Sequence, residues 1–114
     1  MTDAVIVAAV RSAIGKKKGA LAATRADDLL AHVLQALVER AKIDPKAVDD
    51  VVFGCLDAIG PQAGDIARTA WLAAGLPDEV PGTTVDRQCG SSQQAVHFAA
   101  IISADRNWET GSLP

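Results

Sequence analysis

The sequence has few of the features that mark specialised protein classes. It contains two cysteines, too few for a disulfide scaffold, and neither has the His or Cys partner spacing of a zinc site. The amino terminus lacks the positive segment and apolar core of a secretion signal, and no apolar stretch reaches the ~20 residues that span a bilayer. The formal net charge is −3, without a basic stripe for phosphates. We therefore expect a cytoplasmic protein with no bound metal, no membrane partner and no nucleic-acid partner.

Composition is that of a packed domain. Hydrophobic residues make up 49% of the 114 residues and charged residues 22%, which is typical of globular proteins and unlike disordered segments. A chain of this length normally forms one domain. The sequence contains no internal repeat and no low-complexity tract, so one hydrophobic core is predicted.

Apolar runs and amphipathic segments alternate along the chain. Short apolar or β-branched runs predict strands at 4–10, 51–55 and 83–86. Apolar residues at helical spacing predict helices at 24–41, with Thr24 as cap, at about 62–74, and directly after Cys89. This order predicts an α/β fold of βαβαβα type, in which right-handed crossovers build a mostly parallel sheet that is covered on both faces.

The third predicted helix and the cysteine before it form the candidate site. Between Ala95 and Ala104, eight apolar residues lie all round the helix, which is typical of an interior helix. Ser91 and Gln94 have the spacing of a capping box, so the helix is predicted to begin just after Cys89, beside unpaired backbone N–H groups. These groups and the positive charge of Arg87 favour a thiolate. On position alone, Cys89 is either a nucleophile or a buried, inert cysteine.

Other candidate side chains are interpreted as structural. Cys55 ends a predicted buried strand with no base nearby in the sequence, so we expect it to pack in the core. His97 lies eight residues beyond Cys89, about 12 Å along a helix, which is too far for a general base acting on that thiol. His32 falls on the polar face of the first predicted helix and is expected to be exposed.

Residues 85–95, Val-Asp-Arg-Gln-Cys-Gly-Ser-Ser-Gln-Gln-Ala, resemble the nucleophile segment of thiolases, in which an Arg-x-Cys-x-Ser-x-x-Gln run begins a buried helix. Residues 5–15 resemble that family's first strand and loop, while Phe53-Gly54 and Ala67-Arg68 resemble its second strand and helix. The resemblance covers residues 4 to about 100. It implies a thiolase-like fold, of which the chain carries an incomplete N-terminal βαβαβα portion.

The resemblance also implies a reaction. Cys89 would form an acyl thioester during cleavage of a 3-ketoacyl-CoA to acetyl-CoA and a shortened acyl-CoA, as in fatty acid β-oxidation, or during the reverse condensation. Coenzyme A enters as a substrate, and no further cofactor is implied. A homodimer or tetramer is implied as well, with Thr83 to Asp86 near a subunit contact.

Parts of the family pattern do not occur in these 114 residues. The family's Gly-His-Pro histidine, Asn-Glu asparagine and second cysteine before a glycine run are not found, so the chain is expected to be inactive alone. We expect residues 1–104 to form a partial thiolase-like domain and 105–114 a divergent or truncated tail. The alternatives are a non-catalytic assembly partner and a ketoacyl synthase-type condensing enzyme, of which the cysteine motif disfavours the second.

Overall fold

A computed structural model describes residues 3–105 of the chain. Helices and strands alternate along it, in the order α1 (Ala26–Ala41), β1 (Val51–Gly54), α2 (Ile66–Ala73), β2 (Gly82–Val85) and α3 (Ser91–Ala104). Short 3₁₀ turns lie at Pro45–Ala47 and Gly60–Gln62. Among the described residues, no helix is long and apolar enough to cross a membrane. The predicted tail lies outside the described residues except for Asp105, which ends α3.

The two strands pair in parallel, with α1 and α2 on one side of the sheet and α3 on the other. Val51 pairs with Gly82 and Gly54 with Val85. Side chains alternate across a strand, so Val51 and Phe53 join the cluster formed with α1 and α2. Gly54 instead contacts the first turn of α3. The parallel α/β architecture predicted from the sequence is thereby confirmed.

The hydrophobic core lies between α1, α2 and one face of the sheet. Trp71 is its largest fully buried side chain, and its indole Nε1 donates a 2.6 Å hydrogen bond to the carbonyl oxygen of Pro77. That bond satisfies the one polar atom of the ring, as burial requires. The core cluster consists of Leu30, Leu34, Val51, Ile66, Ala67, Ala70, Trp71 and Val80.

Helix boundaries differ from prediction at two N-termini. The N-cap of α1 is Arg25 rather than Thr24, and the Arg25 guanidinium binds the buried carboxylate of Asp27 at 3.1 Å. Helix α2 begins four residues later than predicted, because residues 60–62 form a 3₁₀ turn and Asp65 caps the helix by accepting from the Arg68 N–H. In both α1 and α2, a carboxylate at the start of the helix therefore accepts a hydrogen bond from a nearby backbone N–H.

The predicted strand at 4–10 does not form in the described part of the chain. Its backbone pairs with neither β1 nor β2, and Val5, Ile6 and Val7 are 78%, 82% and 77% exposed. Arg40 holds the segment through a 2.8 Å bond to the carbonyl of Ala9. A strand apolar on both faces is stable only between neighbouring strands under covered faces, and the described residues supply neither around this segment.

The prediction that α3 is an interior helix is wrong for most of its surface. Of its described side chains, only Ser91 and Ala95 are buried, while Val96, Phe98 and Ile101 are 56%, 42% and 65% exposed. The physical reason is that α3 packs on β1 and β2 with one face only. Its composition indicates burial, but burial also requires an element on the opposite face, which the described residues do not provide.

Candidate functional site: the cysteine turn between β2 and α3

Residues 86–90, which we call the cysteine turn, join β2 to α3. Because β1 and β2 are parallel, both end at the same edge of the sheet, where α/β proteins gather polar groups. The Cys55 N–H donates a 3.0 Å hydrogen bond to the carbonyl of Val85, so the segment after β1 lies beside the cysteine turn. The two cysteines of the chain thus follow neighbouring strand ends.

The cysteine turn is held by side chains at both of its ends. Asp86 Oδ1 accepts a 2.9 Å hydrogen bond from the Gln88 N–H. Ser91 Oγ accepts a 2.9 Å bond from the Arg87 N–H and donates a 2.7 Å bond to the Gln88 carbonyl. Between these contacts Gln88 adopts φ +50°, a left-handed conformation that residues with a Cβ rarely adopt. The path of the backbone around Cys89 is therefore set by neighbouring polar side chains.

Cys89 lies on the exposed side of this turn, at the place that the sequence predicts. Helix α3 begins at Ser91 with Gly90 as N-cap, and the first helical bond runs from the Gln94 N–H to the Gly90 carbonyl at 2.9 Å. The cysteine thus immediately precedes the positive end of the helix dipole. A solvent-facing thiol at this position is open to electrophiles.

The predicted capping box is wrong in its partners. Ser91 is already the first helical residue, and its hydroxyl bonds back into the cysteine turn rather than forward to the helix. Gln94 Oε1 accepts a 2.6 Å bond from the Arg87 guanidinium. Ser91 and Gln94 therefore both form hydrogen bonds to residues that precede Cys89.

An open groove of about 250 Å³ flanks the cysteine turn, lined by Arg87, Gly90, Gln93, Gln94 and His97. The Arg87 guanidinium lies in this groove through its bond to Gln94. His97 is an exposed member of the groove wall and makes no hydrogen bond to the cysteine turn among the described contacts. That His97 is not the general base for Cys89 therefore stays a prediction from the sequence.

The second cysteine has surroundings of a different kind. Cys55 is half-buried, and its Sγ donates a 3.4 Å hydrogen bond to the carbonyl of Leu56. Burial raises the pKa of the Cys55 thiol, and the carboxylates of Asp86 and Asp57 raise it further. A raised thiol pKa reduces the thiolate, which is the reactive form. These contacts support the interpretation of Cys55 as a packing residue.

Two glycines allow helices to approach the sheet near the site. A Cβ on Gly54 would overlap the backbone of Ser91 and Ser92, and one on Gly82 would lie 2.8 Å from the Arg68 nitrogen. Gly54 therefore lets the first turn of α3 lie directly on β1. This role was not predicted from the sequence, although a glycine inside a β-branched run is a signal for close backbone approach.

A hydroxyl–carboxylate pair joins α2 to β2. Thr84 Oγ1 donates a 2.6 Å hydrogen bond to Asp65 Oδ1 and accepts one from the Ala67 N–H at 3.2 Å. This pair ties the first turn of α2 to the strand that leads into the cysteine turn. The hydrogen bond of Asp86 was not predicted from the sequence either. Asp side chains often accept from the backbone N–H two residues later, as in an Asx turn.

Residues 3–105 contain no group of three or more His, Cys, Asp or Glu side chains placed to hold a metal ion. The structure brings four predicted residues together around one turn, namely Arg87, Cys89, Ser91 and Gln94. It places Cys55 at the adjacent strand end. His32 is exposed on α1, where it lines an open groove with residues 10–13.

The fold and this site define a class, the parallel α/β proteins that present a cysteine between a strand and the helix that follows it. The sequence model described as "Thiolase, N-terminal domain" matches residues 4–107. The chain therefore belongs to the thiolase family.

Individual relatives agree with this assignment. The chain is 62% identical over 100 residues to the steroid 3-ketoacyl-CoA thiolase FadA6 of Mycobacterium tuberculosis, a match that covers 88% of this chain and 25% of the relative. It is 48% identical over 99 residues to a 3-ketoacyl-CoA thiolase of Psychrobacter arcticus, covering 86% and 25%.

Among solved structures, the chain is similar to the acetyl-CoA acetyltransferase of Bacillus anthracis. The TM-score is 0.82 at 45% identity, and the match covers 88% of this chain and 25% of that chain. The thiolase-like fold implied by the sequence is thereby confirmed. The chain spans about a quarter of the length of the relatives it matches.

Proposed function

We propose that Cys89 is the acyl-accepting nucleophile of a thiolase-type acyltransferase that acts on 3-ketoacyl-CoA. The observation that carries this proposal is the exposed thiol between β2 and the N-terminus of α3, within a chain 62% identical to a steroid 3-ketoacyl-CoA thiolase. A thiol is suited to this role because it both attacks a carbonyl and departs from a thioester readily.

The reaction takes place in two acyl transfers. In the first, the Cys89 thiolate attacks the 3-keto carbon and forms the S–C bond. The bond between carbons 2 and 3 then breaks, its electron pair goes to carbon 2, and a general acid protonates that carbon to release acetyl-CoA. In the second, the thiolate of coenzyme A attacks the acyl-cysteine carbonyl and expels the Cys89 thiolate, which yields the shortened acyl-CoA. The reverse sequence condenses two acetyl units.

Both transfers place negative charge on a carbonyl oxygen, and the backbone supplies a donor for it. The N–H of Cys89 belongs to the same residue as the attacking sulfur, so it lies near any carbonyl bonded to that sulfur. Fixed backbone donors of this kind stabilise oxyanions strongly, since removing one typically costs about 10² to 10³ in rate. Coenzyme A enters this proposal as a substrate, which supplies the thiol for the second transfer.

A homo-oligomer, dimer or tetramer, is part of the same proposal. The exposed apolar side chains of α3 support it, because such surface is commonly covered by another subunit. The carboxyl end of β2 adjoins the same helix, which agrees with a subunit contact near Thr83 to Asp86.

The test is single-turnover acylation of the chain by acetyl-CoA, followed by peptide mapping. We expect one acetyl group per chain, on Cys89. The variant Cys89→Ala should lose the acetyl group entirely, whereas the matched variant Cys55→Ser should keep it. Acetylation on Cys55 in the original chain, or none at all, would refute the proposal.

A further inference from the structure

The cysteine turn contains a conformation that its own residues do not favour. Gln88 has φ +50°, a region that residues with a side chain, other than Asn and Asp, rarely adopt because Cβ approaches the following carbonyl. The conformation persists only where surrounding contacts hold it. Those contacts are the hydrogen bonds of Asp86 and Ser91.

Ser91 is the buried member of this arrangement. It lies in the first turn of α3 at 5% exposure, and its backbone packs close to Gly54. Its hydroxyl accepts from the Arg87 N–H at 2.9 Å and donates to the Gln88 carbonyl at 2.7 Å. A hydroxyl has one proton to donate, and here that proton is directed to the peptide that precedes Cys89.

That peptide carries the N–H of Cys89. The bond between Gln88 and Cys89 is trans, as are all peptide bonds of the described residues, and a planar trans peptide directs its N–H opposite to its C=O. A hydrogen bond that fixes the Gln88 carbonyl therefore fixes the direction of the Cys89 N–H. The Ser91 N–H adds a second, 3.3 Å bond to the same carbonyl.

We infer that Ser91 is a positioning residue for acyl transfer, which orients the Cys89 N–H toward the oxyanion through its hydroxyl bond to the Gln88 carbonyl. This inference rests on the proposed function of Cys89. Asp86 assists from the strand side. Its carboxylate accepts from the Gln88 N–H and so restrains the peptide between Arg87 and Gln88, which precedes the peptide that carries the Cys89 N–H.

Two reactions of the same sulfur separate this role from a merely structural one. Acetylation by a thioester passes through a tetrahedral oxyanion and needs the N–H, whereas alkylation by iodoacetamide is a displacement at a saturated carbon without an oxyanion. We therefore expect Ser91→Ala to slow acetylation of Cys89 by acetyl-CoA about tenfold, part of the effect of losing an oxyanion donor. Its alkylation rate should stay within about twofold. The control Ser92→Ala, at the neighbouring exposed position, should change neither rate.

Equal loss of both rates in Ser91→Ala, or loss of neither, would overturn the inference while leaving the proposed function in place. Failure of the original chain to acetylate Cys89 would remove both. If Ser91→Ala does not fold, as judged by circular dichroism, the exposed Asp86 decides. Asp86→Asn keeps the acceptor and should keep the ratio of acetylation to alkylation, whereas Asp86→Ala should lower that ratio about threefold. Equal ratios for these two variants would contradict the inference.

Discussion

At the scale of single residues, the two cysteines differ in their surroundings and therefore in the reactivity that we expect of each thiol. Cys89 is exposed on a turn before a helix, whereas Cys55 is half-buried at a strand end. The carboxylates of Asp86 and Asp57 add to the effect of burial in raising the pKa of Cys55. The same residue type thus has two different surroundings, and we expect the exposed thiol to be the more reactive.

This contrast predicts selective alkylation. Iodoacetamide at neutral pH should modify Cys89 before Cys55, and the rate at Cys55 should rise with pH as its raised pKa is approached. Asp57→Asn removes one of the charges that raise the pKa of Cys55, so it should increase the Cys55 rate at neutral pH about twofold to threefold. Rates are read by peptide mass spectrometry. Faster labelling of Cys55 than of Cys89 in the original chain would sink the assignment.

A second residue-scale prediction concerns the start of α1. The hydrogen bond and charge of Arg25 lower the pKa of Asp27. A carboxyl with a lowered folded-state pKa contributes stability above its unfolded pKa of about 4, and loses that contribution as pH falls through the folded value. The excess stability of the original chain over Asp27→Asn should therefore shrink as the pH falls below about 5, measured by urea unfolding.

Arg25→Met is the matched variant for this prediction. It removes the partner of Asp27, so the pH dependence of its stability should resemble that of Asp27→Asn. If the original chain and Asp27→Asn kept a constant difference in unfolding free energy across this range, the ion pair would have no part in the stability of α1.

At the scale of elements, the sequence pattern predicted the helices and strands that depend mainly on local interactions. The amphipathic period placed α1 and α2, and β-branched runs bounded by Gly and Pro placed β1 and β2, to within a few residues. The run at 4–10 has the composition of a buried strand, but strand formation depends on neighbours distant in sequence. Its state was therefore not readable from its own residues.

The candidate site likewise has a part that the sequence predicted and a part that it did not. The position of Cys89 at a strand-to-helix junction follows from local pattern, and the sequence predicted it. The spacing of Ser91 and Gln94 fits a capping box equally well whether the hydroxyl bonds forward or backward. The backward bonds depend on the left-handed Gln88, which no residue preference indicates. The detailed hydrogen bonding of the cysteine turn was therefore beyond sequence reasoning.

The contact between α3 and β1 gives an element-scale prediction. Gly54→Ala places a methyl group against the backbone of Ser91 and Ser92, so the first turn of α3 must move. We expect a loss of about 1 to 3 kcal/mol in unfolding free energy, the usual cost of overpacking. Gly15→Ala is the control, because its Cβ would meet only Leu21 at 3.7 Å, and it should change stability by less than about 0.5 kcal/mol. Equal stability of the two variants would show that α3 is not seated on Gly54.

At the scale of the whole molecule, the exposed side of α3 carries large apolar side chains. Val96, Phe98 and Ile101 are exposed on a helix whose other side packs on the sheet. Several large apolar side chains exposed on one element are a feature of many interaction sites. The charged groups of the described chain lie mainly elsewhere, on α1 and the loops.

Sedimentation velocity tests this expectation. The chain should sediment as a species larger than its 11.8 kDa monomer, because burying this face removes apolar surface from water. Ile101→Lys should shift the population toward the monomer, since a charge opposes burial of the face. Glu39→Lys, which changes charge at an exposed position on α1, should leave the population unchanged. A monomeric original chain would refute self-association through α3.

Acylation and turnover should separate in the 114-residue chain. Cleavage of a 3-ketoacyl-CoA requires a general acid to protonate the departing carbon, and efficient proton transfer needs a group within hydrogen-bond reach. The chain has two histidines. His32 is on α1 and His97 is two turns along α3, and neither forms a hydrogen bond to the cysteine turn among the described residues.

We expect the chain to accept one acetyl group from acetyl-CoA but to give no sustained release of acetyl-CoA from acetoacetyl-CoA and coenzyme A. A chain joined to the further length that its relatives carry is the positive control, and multiple turnovers by the 114 residues alone would show that the acid lies within them.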